Sequence, residues 1–346
     1  MFSIFFISMV VTLTAIYLIR PFAIHIGLVD SPDKRKEHKG QVPLVGGVGM
    51  FIGFSISTLI AHPDLNAIRE LILAVSIIIA VGVLDDHHEI SVKVRFFFQI
   101  LVGLIMTTMA GVMLNSLGNL VALGEVALDL WAAPFSVIAI IGVMNALNMM
   151  DGIDGLAGMV ALVTLAAVAL LTAFHGGDSY EAIAICGGII AFLWHNLFSR
   201  NKVFMGDAGS MFLGLAIAWL LVEQSQGSER VMSPVTALWI FAMPLVDTVA
   251  IMVRRVLKGQ SPFLPDREHL HHLFLRAGFS DRQTLLILTL IALACASVGI
   301  VSHIYLVPEW MMFVAFLTIF FCYLFGLTHA WVFVKNFRKI VGLGEK

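Results

Sequence analysis

Long apolar runs separated by short polar breaks set the rhythm of this chain. Runs rich in Leu, Ile, Val, Phe, Met, Ala and Gly occupy approximately residues 2–19, 44–61, 68–84, 96–114, 130–150, 155–174, 182–198, 211–222, 234–253, 285–302 and 310–334. A helix needs about 20 apolar residues to cross the hydrocarbon of a bilayer, with a range of roughly 17–25. The pattern therefore predicts an all-α polytopic membrane protein with about eleven transmembrane helices. Two runs are weak: the third opens on Arg69 and Glu70, and the eighth is short and borrows from Phe204–Ser210. The first lacks a basic leader and a small-residue cleavage site, so it reads as a retained span rather than a signal peptide. No long polar domain, low-complexity tract or obvious repeat interrupts the series, and residues 1–346 read as one transmembrane domain.

Composition narrows the classes. Hydrophobic residues make up 59% of the chain and charged residues 13%, against about 25% charged in an ordinary soluble domain. Too few polar side chains remain to cover a solvated exterior. A soluble enzyme, a disordered tail and a secreted disulfide scaffold are excluded. A net charge of −2 also excludes a nucleic-acid partner held by overall positive charge. Cys186, Cys295 and Cys322 lie in apolar runs without CxxC spacing and read as small hydrophobes. Gly49 and Gly53 form a GxxxG that reads as helix packing.

Charge also sets the orientation. Nineteen of the 21 Lys and Arg residues fall in segments 20–43, 85–95, 199–210, 254–284 and 335–346, leaving only Arg69 and Arg230 elsewhere. These segments alternate with the others across the spans. The positive-inside rule then puts the N-terminus in the periplasm and the C-terminus in the cytoplasm.

The loops of the two faces differ in kind. On the outer face they are short connectors, with 115–129 long enough for a small hairpin. On the inner face they carry Asp85-Asp86, Asn145 to Gly155, Met205-Gly-Asp-Ala-Gly-Ser and Pro265-Asp-Arg-Glu-His-Leu-His-His. Adjacent carboxylates at Asp85 and Asp86 repel unless a cation sits near them. Asn145, Asn148, Asp151 and Asp154 recur at intervals of three, which on a helix lines two amides and two acids along one strip. Gly152 and Gly155 allow close backbone approach. Segment 145–155 holds no Lys or Arg, so a bound cation is the natural partner of its acids. Asp207, in a Gly-flanked turn, is a candidate ligand for Mg²⁺. Arg267 with His269, His271 and His272 suits anion handling, with N–H donors directed at phosphate oxygens. Lys34, Arg35, Lys36, His38 and Lys39 in the first inner loop fit anionic headgroups or the headgroup of an anionic lipid substrate.

Acids, a hard cation and Arg/His donors on one membrane face are the parts of a phosphoryl-transfer site, where positioning and charge neutralisation dominate catalysis. There is no GxxxxGK[ST] loop. The ordered set Pro43-Leu-Val-Gly-Gly, Asp85-Asp86, Asn145-x-x-Asn148-x-x-Asp151-Gly-x-Asp154-Gly, Phe204-Met-Gly-Asp207-x-Gly-Ser and His269-x-His271-His272 closely resembles the polyprenyl-phosphate N-acetylhexosamine-1-phosphate transferases. The resemblance covers about residues 28–280. It implies transfer of N-acetylglucosamine 1-phosphate from UDP-N-acetylglucosamine to undecaprenyl phosphate, with UMP released and Mg²⁺ or Mn²⁺ as metal. It further implies an enzyme of the bacterial inner membrane that starts O-antigen or enterobacterial common antigen synthesis, with its site on the cytoplasmic face.

On that resemblance Asp207 and Asn148 hold the metal, and Asp85 and Asp86 orient or deprotonate the lipid phosphate. Asp151 and Asp154 shape the nucleotide and metal pocket. Arg267, His269, His271, His272 and Asn145 bind the diphosphate. Direct attack and an Asp-phosphate intermediate both stay open, as does self-association. The competing readings are a sibling enzyme using UDP-N-acetylmuramoyl-pentapeptide or another UDP-N-acetylhexosamine, and a proton-coupled transporter. Asp247, an acid within a span, favours a transporter or a helix-to-helix hydrogen bond and stays outside the core site. The polar residues gather at one surface instead of the midplane, which favours the enzyme.

Overall fold

A computed structural model describes residues 1–30, 40–62, 64, 68–262 and 269–329. Lys34, Arg35, Lys36, His38, Lys39 and Arg267 lie outside these residues.

Each apolar run becomes helix. In chain order they are α1 (Phe2–Ile26), α2 (Gly46–Ala61), α3 (Arg69–His88), α4 (Val92–Leu104), α5 (Ala132–Met150), α6 (Leu156–Phe174), α7 (Tyr180–Leu193), α8 (Gly206–Glu223), α9 (Pro234–Ile240), α10 (Ala242–Leu257), α11 (Leu270–Ala277), α12 (Asp281–Ile304) and α13 (Glu309–Thr328). Single π turns extend α4 over Ile105–Met109 and α7 over Trp194–Phe198. Among the described residues nine helical segments are long and apolar enough to cross a membrane, and α2, at 16 residues, is shorter. The chain is an all-α, multi-span membrane protein.

The ninth run, expected as one span, is broken. α9 and α10 meet at 85° across Phe241. Pro244 stands in the first turn of α10, where its missing N–H is tolerated but cannot continue the ladder from α9. α1 continues past Arg20 and Pro21 to Ile26, where Gly27 turns left-handed at φ 78° and its amide closes on the Ala23 and Ile24 carbonyls. The eighth run is longer than its apolar core suggested, because α8 begins at Gly206 and takes Asp207 into its first turn.

α8 is the axis of the bundle and is buried along almost its whole length. Glycine makes this possible. A Cβ on Gly47 of α2 would collide with the Gly209 backbone, and one on Gly82 of α3 with the Ala208 backbone. A Cβ on Gly214 would run into the backbone of α5 at Met144. Small residues let backbones approach closely in a medium where apolar burial gives helices no reason to associate. Gly49 and Gly53 serve the same purpose against Ile16, Thr12 and Ser8 of α1.

A backbone clamp fixes where α8 starts. The strands β1 (Val29–Asp30) and β2 (Val42–Pro43) pair antiparallel, with Val29 opposite Pro43 and Asp30 opposite Val42. The Phe204 amide then donates to the Pro43 carbonyl (2.9 Å), and the amides of Gly46 and Gly47 donate to the carbonyls of Phe204 (2.9 Å) and Met205 (3.0 Å). Pro43-Leu-Val-Gly-Gly thus grips the entry to α8. On the opposite face the expected hairpin is present: the Leu117 amide donates to Val126 and the Val126 amide to Gly118, both at 2.9 Å.

Candidate active site

The site grows out of the close approach of α3 to α8. With Gly82 seated on Ala208, the last turn of α3 delivers Asp85 and Asp86 to the first turn of α8. The Asp86 carboxylate accepts the Asp207 amide on Oδ1 (2.7 Å) and the Ala208 amide on Oδ2 (3.2 Å). These are donors that a helix start leaves without intrahelical partners, and an anion there also meets the positive end of the helix dipole. Gly206, at φ 73°, has to lack a side chain, because a Cβ would strike that carboxylate.

Asp85 is buried and faces elsewhere. Its Oδ1 accepts the Ile90 amide (3.0 Å), and its Oδ2 pairs with Arg95 Nη2 at 2.5 Å. The same nitrogen reaches Asp207 Oδ2 at 3.4 Å, so one guanidinium bridges two acids. Asp207 Oδ1 accepts Asn148 Nδ2 at 2.6 Å, and Asn148 Nδ2 also meets Ser210 Oγ at 2.8 Å. A third of the Asp207 side chain, 33%, stays accessible, against 2% for Asp85. Asp207 is the acid of this group that a ligand from solution meets.

The strip expected from the three-residue spacing is interrupted. α5 ends at Met150, so Asn145 and Asn148 share the helix, Asp151 takes the cap position, and Asp154 lies in the turn beyond. Asn145 is one turn deeper than Asn148 and braces the interior: its Nδ2 donates to Gln99 Oε1 (2.9 Å) and the Ile141 carbonyl (2.8 Å). Asp154 pairs with Lys202 Nζ at 2.5 Å, and that ammonium lies 4.9 Å from the Phe204 ring centre. Asp151 keeps contact with solvent, but the protein around it, then the charges of Asp207 and Asp154, push its carboxyl up to about 7.

The histidines arrive on α11. The Asp247 carboxylate accepts His269 Nδ1 (2.8 Å) and Tyr323 OH (2.5 Å), and it caps α11 by accepting the Leu270 amide (3.1 Å). Because a carboxylate only accepts, His269 donates from Nδ1 and its other nitrogen is left for a ligand. His271 is buried against Gly152, with its ring parallel to that of His269 at 6.0 Å and 4.1 Å from that of His272. Neither of its nitrogens has a partner. Burial, then the neighbouring His272 and His269, hold the imidazole down to about 3, so it is neutral. The contact with Gly152 joins the histidine helix to the Asp151–Asp154 turn.

The structure therefore brings together Asp85, Asp86, Asp207 and Asn148 directly, and Asp151, Asp154 and the histidines around them. Arg95, Lys202, Gln99 and Tyr323 complete the cluster without having stood out in the sequence. Arg95 and Lys202 lie where basic residues are expected for topology alone, which masks them. The oxygen-rich donor set suits a hard cation. Among the described residues no three His, Cys, Asp or Glu side chains form a ready cage. Asp207 and Asn148 could hold such an ion with phosphate oxygens and water completing its shell, as is usual for Mg²⁺.

Residues 68–225 match Glycosyl transferase family 4. The undecaprenyl-phosphate alpha-N-acetylglucosaminyl 1-phosphate transferase of Yersinia pestis is 41% identical over 94% of this chain and 91% of that protein. Proteins of the same name from Haemophilus influenzae and Escherichia coli K12 are 40% and 39% identical, covering 98% and 94% of this chain and 97% and 90% of theirs. With likeness of this extent along nearly its whole length, the chain belongs to glycosyl transferase family 4.

Proposed function

We propose that this protein transfers N-acetylglucosamine 1-phosphate from UDP-N-acetylglucosamine to undecaprenyl phosphate, forming undecaprenyl-diphospho-N-acetylglucosamine and UMP. The observation that carries the reading is the linked set Asp85, Arg95, Asp207 and Asn148 at one end of a membrane-spanning bundle. That position serves a lipid phosphate from the bilayer and a nucleotide from the adjoining water. The basic bias of the same face supports a cytoplasmic site on the bacterial inner membrane.

The chemistry follows from what each residue is free to do. Asp207 and the Asn148 amide oxygen would hold Mg²⁺ or Mn²⁺, which supplies charge neutralisation on the donor diphosphate. Asp86 spends both oxygens on the start of α8 and so positions Asp207. Asp85 holds Arg95, whose guanidinium can donate to phosphate oxygens as charge builds. A lipid phosphate oxygen attacks the sugar-linked phosphorus, a new P–O bond forms, and the bond to the UMP oxygen breaks, with UMP leaving as the anion. Both Asp86 oxygens already accept amides of α8, which supports direct attack over a phosphate carried on Asp86. His269, held by Asp247, presents its second nitrogen to the diphosphate with the buried His271 ring stacked behind it, and the Asp154–Lys202 pair beside Phe204 borders the nucleotide.

The test incubates purified protein with undecaprenyl phosphate, Mg²⁺ and each UDP-sugar in turn, and measures UMP and lipid product. Turnover with UDP-N-acetylglucosamine is expected, and none with that donor would defeat the reading. Asp207→Asn should lower turnover on the order of 100-fold or more while the protein still inserts into membranes. Full activity in that variant would remove Asp207 from the metal site.

A further inference from the structure

Three of the helices that meet at the acid cluster each supply a second residue one turn deeper in the bundle. On α4 Arg95 is followed four residues later by Gln99, and on α8 Asp207 is followed four later by Met211. On α5, which runs the other way, Asn148 is preceded three residues earlier by Asn145. Residues three or four apart share a helix face, so the six side chains form two stacked layers. In the layer at the site, Arg95 Nη2 lies 3.4 Å and Asn148 Nδ2 2.6 Å from the Asp207 carboxylate. In the layer beneath, Gln99 Oε1 accepts Asn145 Nδ2 at 2.9 Å, and Gln99 Nε2 faces Met211 Sδ at 3.8 Å. Gln99 thus joins α4 to the two helices that carry Asn148 and Asp207.

Gln99 is wholly buried, where an amide is costly unless its hydrogen bonds are made. The acceptor facing its Nε2 is a thioether, which accepts weakly. Stability alone would be served about as well by an apolar pair of the same shape. What the amide pair adds is register. Between apolar helices in lipid many offsets pack about equally well, and one buried amide bond singles out a single offset, as one Asn does in a coiled coil. Asn145 Nδ2 also donates to the Ile141 carbonyl of its own helix at 2.8 Å, so its side chain is fixed on α5 and α4 is the partner being placed. α4 packs on α3 and α5 and reaches α8 with long side chains. The Arg95–Asp207 contact, at 3.4 Å, is already longer than the usual charge-assisted bond. A small slide of α4 would break it.

We propose that Gln99 is a positioning residue for the transfer: its bond to Asn145 sets the register of α4 at which the Arg95 guanidinium bridges Asp85 and Asp207. Its effect on rate rests on the transferase reading. The register itself rests on the distances alone.

The test compares variants of the full chain in detergent, with undecaprenyl phosphate, Mg²⁺ and the UDP-sugar that the wild type turns over. Gln99→Met keeps the volume and removes the amide. It should lower kcat about tenfold or more, since misplacement by about 1 Å can cost on the order of 100-fold in rate. Both KM values and the melting temperature should stay near wild type. Asn145→Leu breaks the same bond from α5 and should lower kcat likewise; it carries the test if Gln99→Met does not stay monodisperse. Exchanging the two side chains, Gln99→Asn with Asn145→Gln, rebuilds the link and should recover most of the lost kcat. A second readout needs no turnover. Spin labels on Lys93→Cys of α4 and Asn201→Cys ahead of α8, in a background of Cys186→Ala, Cys295→Ala and Cys322→Ala, should give one narrow distance distribution. It should broaden or shift in Gln99→Met and narrow again in the exchanged pair. Unchanged kcat in Gln99→Met would overturn the proposal, as would a rise in KM alone. So would kcat lost together with stability and not restored by the exchange, or label distances identical in all variants. No turnover by the wild type would defeat the transferase reading and leave the label distances to decide the register.

Discussion

His271 is the residue whose protonation the fold resists most clearly. Its ring is buried at Gly152 with no partner, and its pKa sits near 3 against an unperturbed 6.5. Below about 6.5 the unfolded chain takes up a proton that the folded ring refuses. The His271 contribution to stability is therefore complete above that pH and falls by about 1.4 kcal/mol per unit on the way to 3. Asp151 runs the other way. Its folded pKa is raised from 3.8 to about 7, so its contribution is lost as pH climbs through that window. The two slopes oppose each other in the wild-type protein. Replacing His271 with Gln removes one of them, and the variant should gain stability relative to wild type between pH 7 and pH 5. Thermal unfolding in detergent across that range checks it; parallel curves would mean that the ring carries a proton in the fold.

The start of α8 is where elements decide the site. α2 and α3 both press on it through glycine, and the β2 clamp fixes its first residue. Gly82→Ala should push α3 off Ala208 and cost about 1–3 kcal/mol, in the range of other overpacked sites. Turnover should fall with it, because Asp85 and Asp86 ride on the displaced turn. Gly142→Ala is the control, as open space surrounds it. Equal melting temperatures and rates for the two variants would show that the approach of α3 is not tight. The helices themselves were readable from the apolar runs, since bilayer thickness leaves few alternatives. Three things were not. The three-residue strip from Asn145 to Asp154 assumes a helix that stops at Met150. The break at Phe241 depends on how α10 packs, because Pro244 alone is tolerated in a first turn. Arg95 became visible only when the fold put it between Asp85 and Asp207.

Across the whole molecule, the acids of the site come from the middle of the chain, yet their histidine partners are positioned from its far end. Tyr323 belongs to α13, which packs mainly against α9 and α10, and its hydroxyl meets Asp247, which in turn fixes His269 and caps α11. Sequence placed Asp247 outside the core because an acid within a span has several uses, and its partners are 22 and 76 residues away. The contact gives α13 a function beyond spanning the bilayer. Removing the hydroxyl leaves Asp247 with one fewer donor while His269 and the Leu270 amide remain. A hydrogen bond to a charged group contributes about 1.5–3 kcal/mol. If part of that bond's energy steadies His269 during transfer, Tyr323→Phe lowers kcat about tenfold and leaves the KM for polyprenyl phosphate near its original value. Asp247→Asn, which offers one acceptor oxygen to three donors, lowers kcat further. Both variants should still reach the membrane and bind UDP-N-acetylglucosamine, because Asp207, Asn148 and Arg95 are untouched. Steady-state kinetics decides the matter: unchanged kcat in Tyr323→Phe would reduce α13 to a structural span, and a rise in the polyprenyl phosphate KM alone would place its effect on lipid binding instead of on the histidines.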